Sequence, residues 1–176
     1  MTKKYTNLFS AVHWVHAAMI AAVLMGALVA LPVLPEVGQD LSAFKNHMIM
    51  GFAVTVVTFV RIYLARRQPE LEPLKIDAFR QAVVTWNHRL IYLMLVVTGL
   101  SGMATAQVSN IGKVLFLGAD LSAYTGPDGL VGTLGTVHTY SAWVLGGLIV
   151  MHVAGTLSYM VKTGDNVLKR VGFGQG

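Results

Sequence analysis

Apolar residues gather in four long blocks along this chain, at about 12–34, 44–64, 90–108 and 137–161. A helix needs roughly 20 mostly apolar residues to cross a bilayer, so each block predicts one span. The expected architecture is all-α. It is an integral-membrane four-helix bundle forming a single domain over residues 1–176, with little chain outside the bilayer. The polar stretches between blocks mark the connections. "PVLPEVGQDLSA" is the first outer connection, with Pro32 and Pro35 limiting the first span. "RIYLARRQPELEP" closes the second span, and residues 68–80 make a charged inner connection with Pro73 as a stop. Asp77 is placed to cap a short extension of the third span, because "DAFRQAVVTWNH" has helical spacing. The second outer segment, about 109–135, is rich in glycine and turns at "GPDG"; its "VLFLG" patch reads equally as a short surface helix or a packed loop. No internal repeat is present.

Composition agrees with the blocks. Hydrophobic residues make up 55% of the chain and charged residues 12%, against about a quarter charged in soluble domains. There is no cysteine, which excludes disulfides, thiolate metal sites, iron–sulfur clusters and covalent c-type haem. The first block follows Lys3 and Lys4 in the manner of a secretory leader. Its length, its His13 and His16, and the lack of a small-residue cleavage pattern predict that it is retained.

The net charge of +5 changes the picture only through its distribution. Eleven of the thirteen basic residues fall on one side of a four-span topology, and only Lys45 and Lys113 on the other. That is the positive-inside asymmetry, with both termini and the 68–80 connection cytoplasmic. The basic charge is thus a topology signal, and no nucleic-acid partner is expected.

Six histidines in so apolar a chain are the candidate chemistry. His138 and His152 share the fourth span. Fourteen residues rise about 21 Å and return to within roughly 40° of the same face. The two rings are therefore too far apart for one site and suit two sites at different depths. Depth along the other spans pairs His47 with His138 near the outer side and His13 with His152 near the inner side. Facing imidazoles across a bundle are what haem b needs, held as an electron-transfer centre with both axial positions filled. Gly51, Gly146, Gly147 and Gly155 offer room for a ring edge or, equally, close helix packing. His16, one turn past His13, is an alternative ligand. His88 could ligate the inner haem, bond a propionate or hold a proton for quinone chemistry. Arg61, Arg89 and Lys45 lie at depths suited to haem propionates, or serve as ordinary flanking charges. A small transition-metal transporter is the alternative of another class; the spans hold no acidic residue to neutralise a moving cation.

Taken together, "VHW" at His13, "NHMIMG" at His47, "NHRLIYLMLVVTGL" at the third span and "VHTYSAWVLGGLIVMH" at the fourth resemble the bacterial cytochrome b561 family. The resemblance covers nearly the whole chain. It implies a bacterial inner-membrane protein with two non-covalent haems b, exchanging electrons between a periplasmic-side partner and ubiquinone or menaquinone. That partner would be a periplasmic redox protein or superoxide, the latter as in the superoxide oxidases that the family includes. The related haem b anchor subunits of dehydrogenases and hydrogenases share the helical plan. The chain departs from the superoxide-oxidising type in one segment. "GTLSYMVK" carries Tyr159 where that type has a further histidine, and the outer loop offers only Lys113 to steer an anion.

Overall fold

The computed structural model describes residues 4–30 and 40–172. Four long helices carry the fold: α1 (Asn7–Ala30), α2 (Ser42–Ala65), α3 (Ala78–Val108) and α5 (Gly129–Thr163). A short α4 (Ile111–Leu117) and two 3-10 turns, Leu121–Ala123 and Val167–Val171, complete it. All four long helices are long and apolar enough to cross a membrane, and no strand occurs among the described residues. The expected stop at Pro32 and Pro35 lies outside the described residues.

The extension of the third span that Asp77 was expected to cap is present: α3 starts at Ala78 and runs unbroken, its first turn fixed by Asp77, whose carboxylate accepts from the Arg80 N–H at 2.9 Å. One boundary differs from the sequence reading. The fourth span was expected at 137; α5 starts eight residues earlier, at Gly129, and absorbs "GLVGTLGT". Glycine and threonine there lower hydropathy without ending a helix whose neighbours favour it. The "VLFLG" patch resolves as a helix, α4, and Gly118 in the left-handed region ends it.

Helix lengths are unequal. At 1.5 Å per residue α1 and α2 are about 36 Å long, while α3 and α5 reach about 46 and 52 Å. A hydrocarbon core of about 30 Å holds the first two and leaves the α3–α5 pair projecting. α3 and α5 pack most extensively, and α2 sits between α1 and α3. Large apolar side chains such as Val29, Phe52, Val150 and Val161 point outward, as lipid-facing surface does.

One end of the bundle gathers the chain start, the α2–α3 connection and the last turn; it is termed here the terminal end. The Tyr5 N–H donates to the Arg170 carbonyl at 3.0 Å, the Trp14 indole N–H to the Val171 carbonyl at 3.0 Å, and Arg170 to the Glu72 carbonyl at 2.8 Å. The opposite, loop end holds α4, tied back by the Thr125 N–H to the Ser109 carbonyl at 2.9 Å. Midway between them Ile20, Val54, Leu95 and Leu145, one from each long helix, form a buried apolar layer. At Gly99 the side chain of Thr55 lies so close that a Cβ has no room, so α2 and α3 approach through that glycine.

Candidate functional site

The apolar mid-layer separates two histidine layers. The loop-end layer joins α2, α3 and α5. His47, one turn into α2, meets His138 of α5 with ring centroids 6.0 Å apart and planes at 88°. Rings on opposite sides of one metal, each with a nitrogen–metal bond of about 2 Å and about 1 Å more to the ring centre, have centroids about 6 Å apart. The spacing fits a shared metal.

The tautomer of His138 fits as well. Its Nδ1 lies 2.8 Å from the Thr98 carbonyl. A carbonyl only accepts, so Nδ1 carries the proton and Nε2 keeps its lone pair, the state of a metal-ligating histidine. Thr98 is held in turn, its hydroxyl donating to Ser141 Oγ at 2.8 Å. The ring lies against α3 at Gly102, where a Cβ would stand 2.8 Å from both Cε1 and Nδ1. His47 Nδ1 is buried without a partner. Lys45 lies beside this layer, its ammonium 5.3 Å from the Phe116 ring centre.

The terminal-end layer draws on all four helices. His88 of α3 and His152 of α5 meet edge-on with centroids 4.8 Å apart and planes at 84°, closer than two rings flanking one metal. The His88 Nδ1–H donates to the Val84 carbonyl at 2.7 Å, leaving Nε2 as an acceptor. His13 of α1 instead faces Arg61 of α2. A guanidinium has only donors, so His13 Nδ1 accepts from it. Arg61 also lies over the rings of Phe9 and Tyr92, 5.9 and 5.5 Å from their centres. Its Nε is buried without a partner, and among the described residues the only cation–carboxylate pair is Arg80–Asp77. Among the described residues Arg61 is thus a half-buried cation without an anion, and a haem propionate is an anion that fits it.

His16 is fully buried. Its Nε2 lies 3.2 Å from both the Val54 carbonyl and the Thr58 hydroxyl, while that hydroxyl donates to the same carbonyl at 2.8 Å. Nε2 is therefore the donor, and the side chain ties α1 to α2. Arg89 is exposed and lies over the Trp86 ring at 5.2 Å. Gly51, Gly146, Gly147 and Gly155 have nothing within 4 Å of an added Cβ.

A family model described as prokaryotic cytochrome b561 matches residues 4–174. The chain belongs to that family. No curated protein matches it. This cytochrome b561 is a multi-pass protein of the bacterial inner membrane, and family membership makes it a haem b-binding electron-transfer protein. Reasoning from histidines alone did not single out Thr98 and Gly102. The signal available was "TGLSG", which sets Gly99 and Gly102 one turn apart on α3.

Proposed function

We propose that this cytochrome b561 holds two haems b, one in each histidine layer, and passes electrons between the loop end and the quinone pool. The single observation that carries the reading is the His47–His138 pair, with metal-compatible spacing and the His138 Nδ1–H bound to a backbone carbonyl. The second centre follows from His152, on the same face of α5 at another depth. Haem b supplies one-electron redox chemistry when bound. The chain supplies ligands, depth and electrostatics.

At the terminal end the ligands are His13 and His152. Ligation by His13 requires Arg61 to give up Nδ1, and the propionate is what would take the guanidinium. His88 stands beside this centre with Nε2 as an acceptor, suited to receive the O–H of a quinol. A groove of about 290 Å³ between α3 and α5, lined by Trp86, Asn87, Leu90, Leu148 and Met151, suits an apolar quinone. The terminal end is cytoplasmic, on the positive-inside distribution. The electron partner at the loop end is a periplasmic redox protein or superoxide. A second reading, a haem b anchor subunit of a dehydrogenase or hydrogenase, has the same site, and co-purification of a hydrophilic subunit would favour it.

The test is a reduced-minus-oxidised spectrum and a haem-to-protein ratio on purified protein and on four variants. Two haems per chain are expected, one after His138→Ala and one after His152→Ala. Two low-spin haems in both variants would overturn the ligand scheme. Loss of the terminal-end haem in His88→Ala, but not in His13→Ala, would move that ligand to His88.

A further inference from the structure

Between α2 and α3 the terminal end opens a second cavity, a crevice of about 960 Å³ whose lining includes no histidine. Its wall is apolar along Ile62, Leu93 and Val96, and its remaining lining includes two arginines, Arg66 and Arg89. Arg66 is the residue that caps α2, and Arg89 is held over the Trp86 ring. Among the described residues neither guanidinium has a carboxylate partner; the only such pair there is Arg80–Asp77. Tyr92 lines the crevice too, and its ring also lies against the Arg61 guanidinium of the terminal-end layer.

We propose that this crevice is a binding site for an anionic phospholipid. Arg66 and Arg89 would take the phosphate, and one acyl chain would run along Ile62, Leu93 and Val96. Two arginines without a carboxylate partner among the described residues line one opening, with aliphatic side chains beside them. A phosphodiester carrying hydrocarbon chains is complementary to both parts. A neutral zwitterionic lipid satisfies the apolar wall but adds a cation to two others. Basic openings between membrane helices take acidic headgroups for this reason. A quinone would use the apolar wall and leave both guanidiniums without an anion.

Delipidated protein in a neutral detergent, titrated with phosphatidylglycerol or phosphatidylcholine and read by native mass spectrometry, tests the site. The expected result is one tightly retained phosphatidylglycerol per chain and no retained phosphatidylcholine. A lysine or arginine near an acidic headgroup contributes about fivefold in affinity. Arg66→Gln and Arg89→Gln should each weaken retention by about that factor, and the double variant by more than tenfold. Arg67, stacked on Tyr63 at 4.5 Å and not part of the crevice lining, is the control; Arg67→Gln should leave retention unchanged. Equal losses in the Arg67 and Arg66 variants would mean a diffuse surface field and overturn the proposal. Equal retention of the two lipids would overturn it, as would displacement of phosphatidylglycerol by a short-chain ubiquinone whose binding ignores both arginines. Haem content, measured in each sample, confirms that the variants are folded.

Discussion

Gly102→Ala is the substitution that most directly tests the seat of His138. An added Cβ would stand 2.8 Å from Nδ1 and Cε1 of the imidazole. Ordinary contact begins near 3.4 Å, so the ring must retreat by roughly 0.6 Å or more. Retreat stretches the 2.8 Å bond from Nδ1–H to the Thr98 carbonyl. Overpacking of this kind costs about 1–3 kcal/mol, and the weakened hydrogen bond about 1 kcal/mol. Alanine returns about 1 kcal/mol through its better helix propensity. The net change in thermal stability is therefore small, about 1–3 kcal/mol. The centre itself responds more, because losing the partner that orients a metal-ligating histidine costs about 10–100-fold in metal affinity. The assay is haem stoichiometry with a redox titration and low-temperature EPR, run beside Gly26→Ala, where an added Cβ meets nothing within 4 Å. The expected outcome is a shifted or depleted loop-end signal in Gly102→Ala and an unchanged spectrum in Gly26→Ala. An unchanged loop-end signal at full occupancy in Gly102→Ala would refute the seat.

Other outcomes follow from single contacts. Thr98→Val removes the hydroxyl but keeps the carbonyl, so the loop-end signal should persist while stability falls by about 0.6–1.7 kcal/mol, the range for one interhelical bond in a membrane; thermal unfolding monitored by haem release measures it. His16→Leu should leave both haem spectra intact and lower the unfolding temperature, because the side chain ties α1 to α2; a lost haem would make His16 a ligand. Arg61→Gln should lower the potential of the terminal-end centre, since it removes a nearby positive charge that favours the electron-rich state, and a redox titration reads the shift. In the loop-end turn, the Ser122 N–H and hydroxyl hold the Asp120 carboxyl below its ordinary 3.8. That contribution is present above pH 3.8 and is lost as pH falls through the lowered value, so amide exchange at Ser122 should accelerate only in acid.

Much of this was legible in the sequence because a bilayer leaves few options. Twenty apolar residues must be a helix there, and histidine periodicity on one span fixes both face and depth. That reasoning placed His47 and His138 at matching depth, and the structure brings them together. It fixed the helix ends less well. Apolar content marks where chain lies in lipid; the Asp77 cap revealed the extension of α3 beyond it, whereas the early start of α5 at Gly129 carried no such signal. Neighbours at one depth were also beyond reach. His88 and His13 both lie at the terminal end, and only packing decides that one meets His152 and the other Arg61. Gly102 was invisible for a related reason: a missing side chain becomes informative only when something occupies its place.

The side chains of the mid-layer, Ile20, Val54, Leu95 and Leu145, are all apolar and none titrates. If the two proposed haems lie on either side of it, an electron passing between them crosses this apolar layer. His138 and His152 are about 21 Å apart along α5, some two-thirds of a 30 Å hydrocarbon core. A full traversal by one charge is worth about 2.3 kcal/mol per 100 mV, so this step is worth about 1.6 kcal/mol per 100 mV. The membrane voltage thereby acts on the proposed function as a bias. If the terminal end is cytoplasmic, as proposed from the charge distribution, and that side is negative, inward electron flow works against the field and outward flow is assisted. The energised state of the cell, as well as the potentials of the two centres, then sets which direction runs downhill.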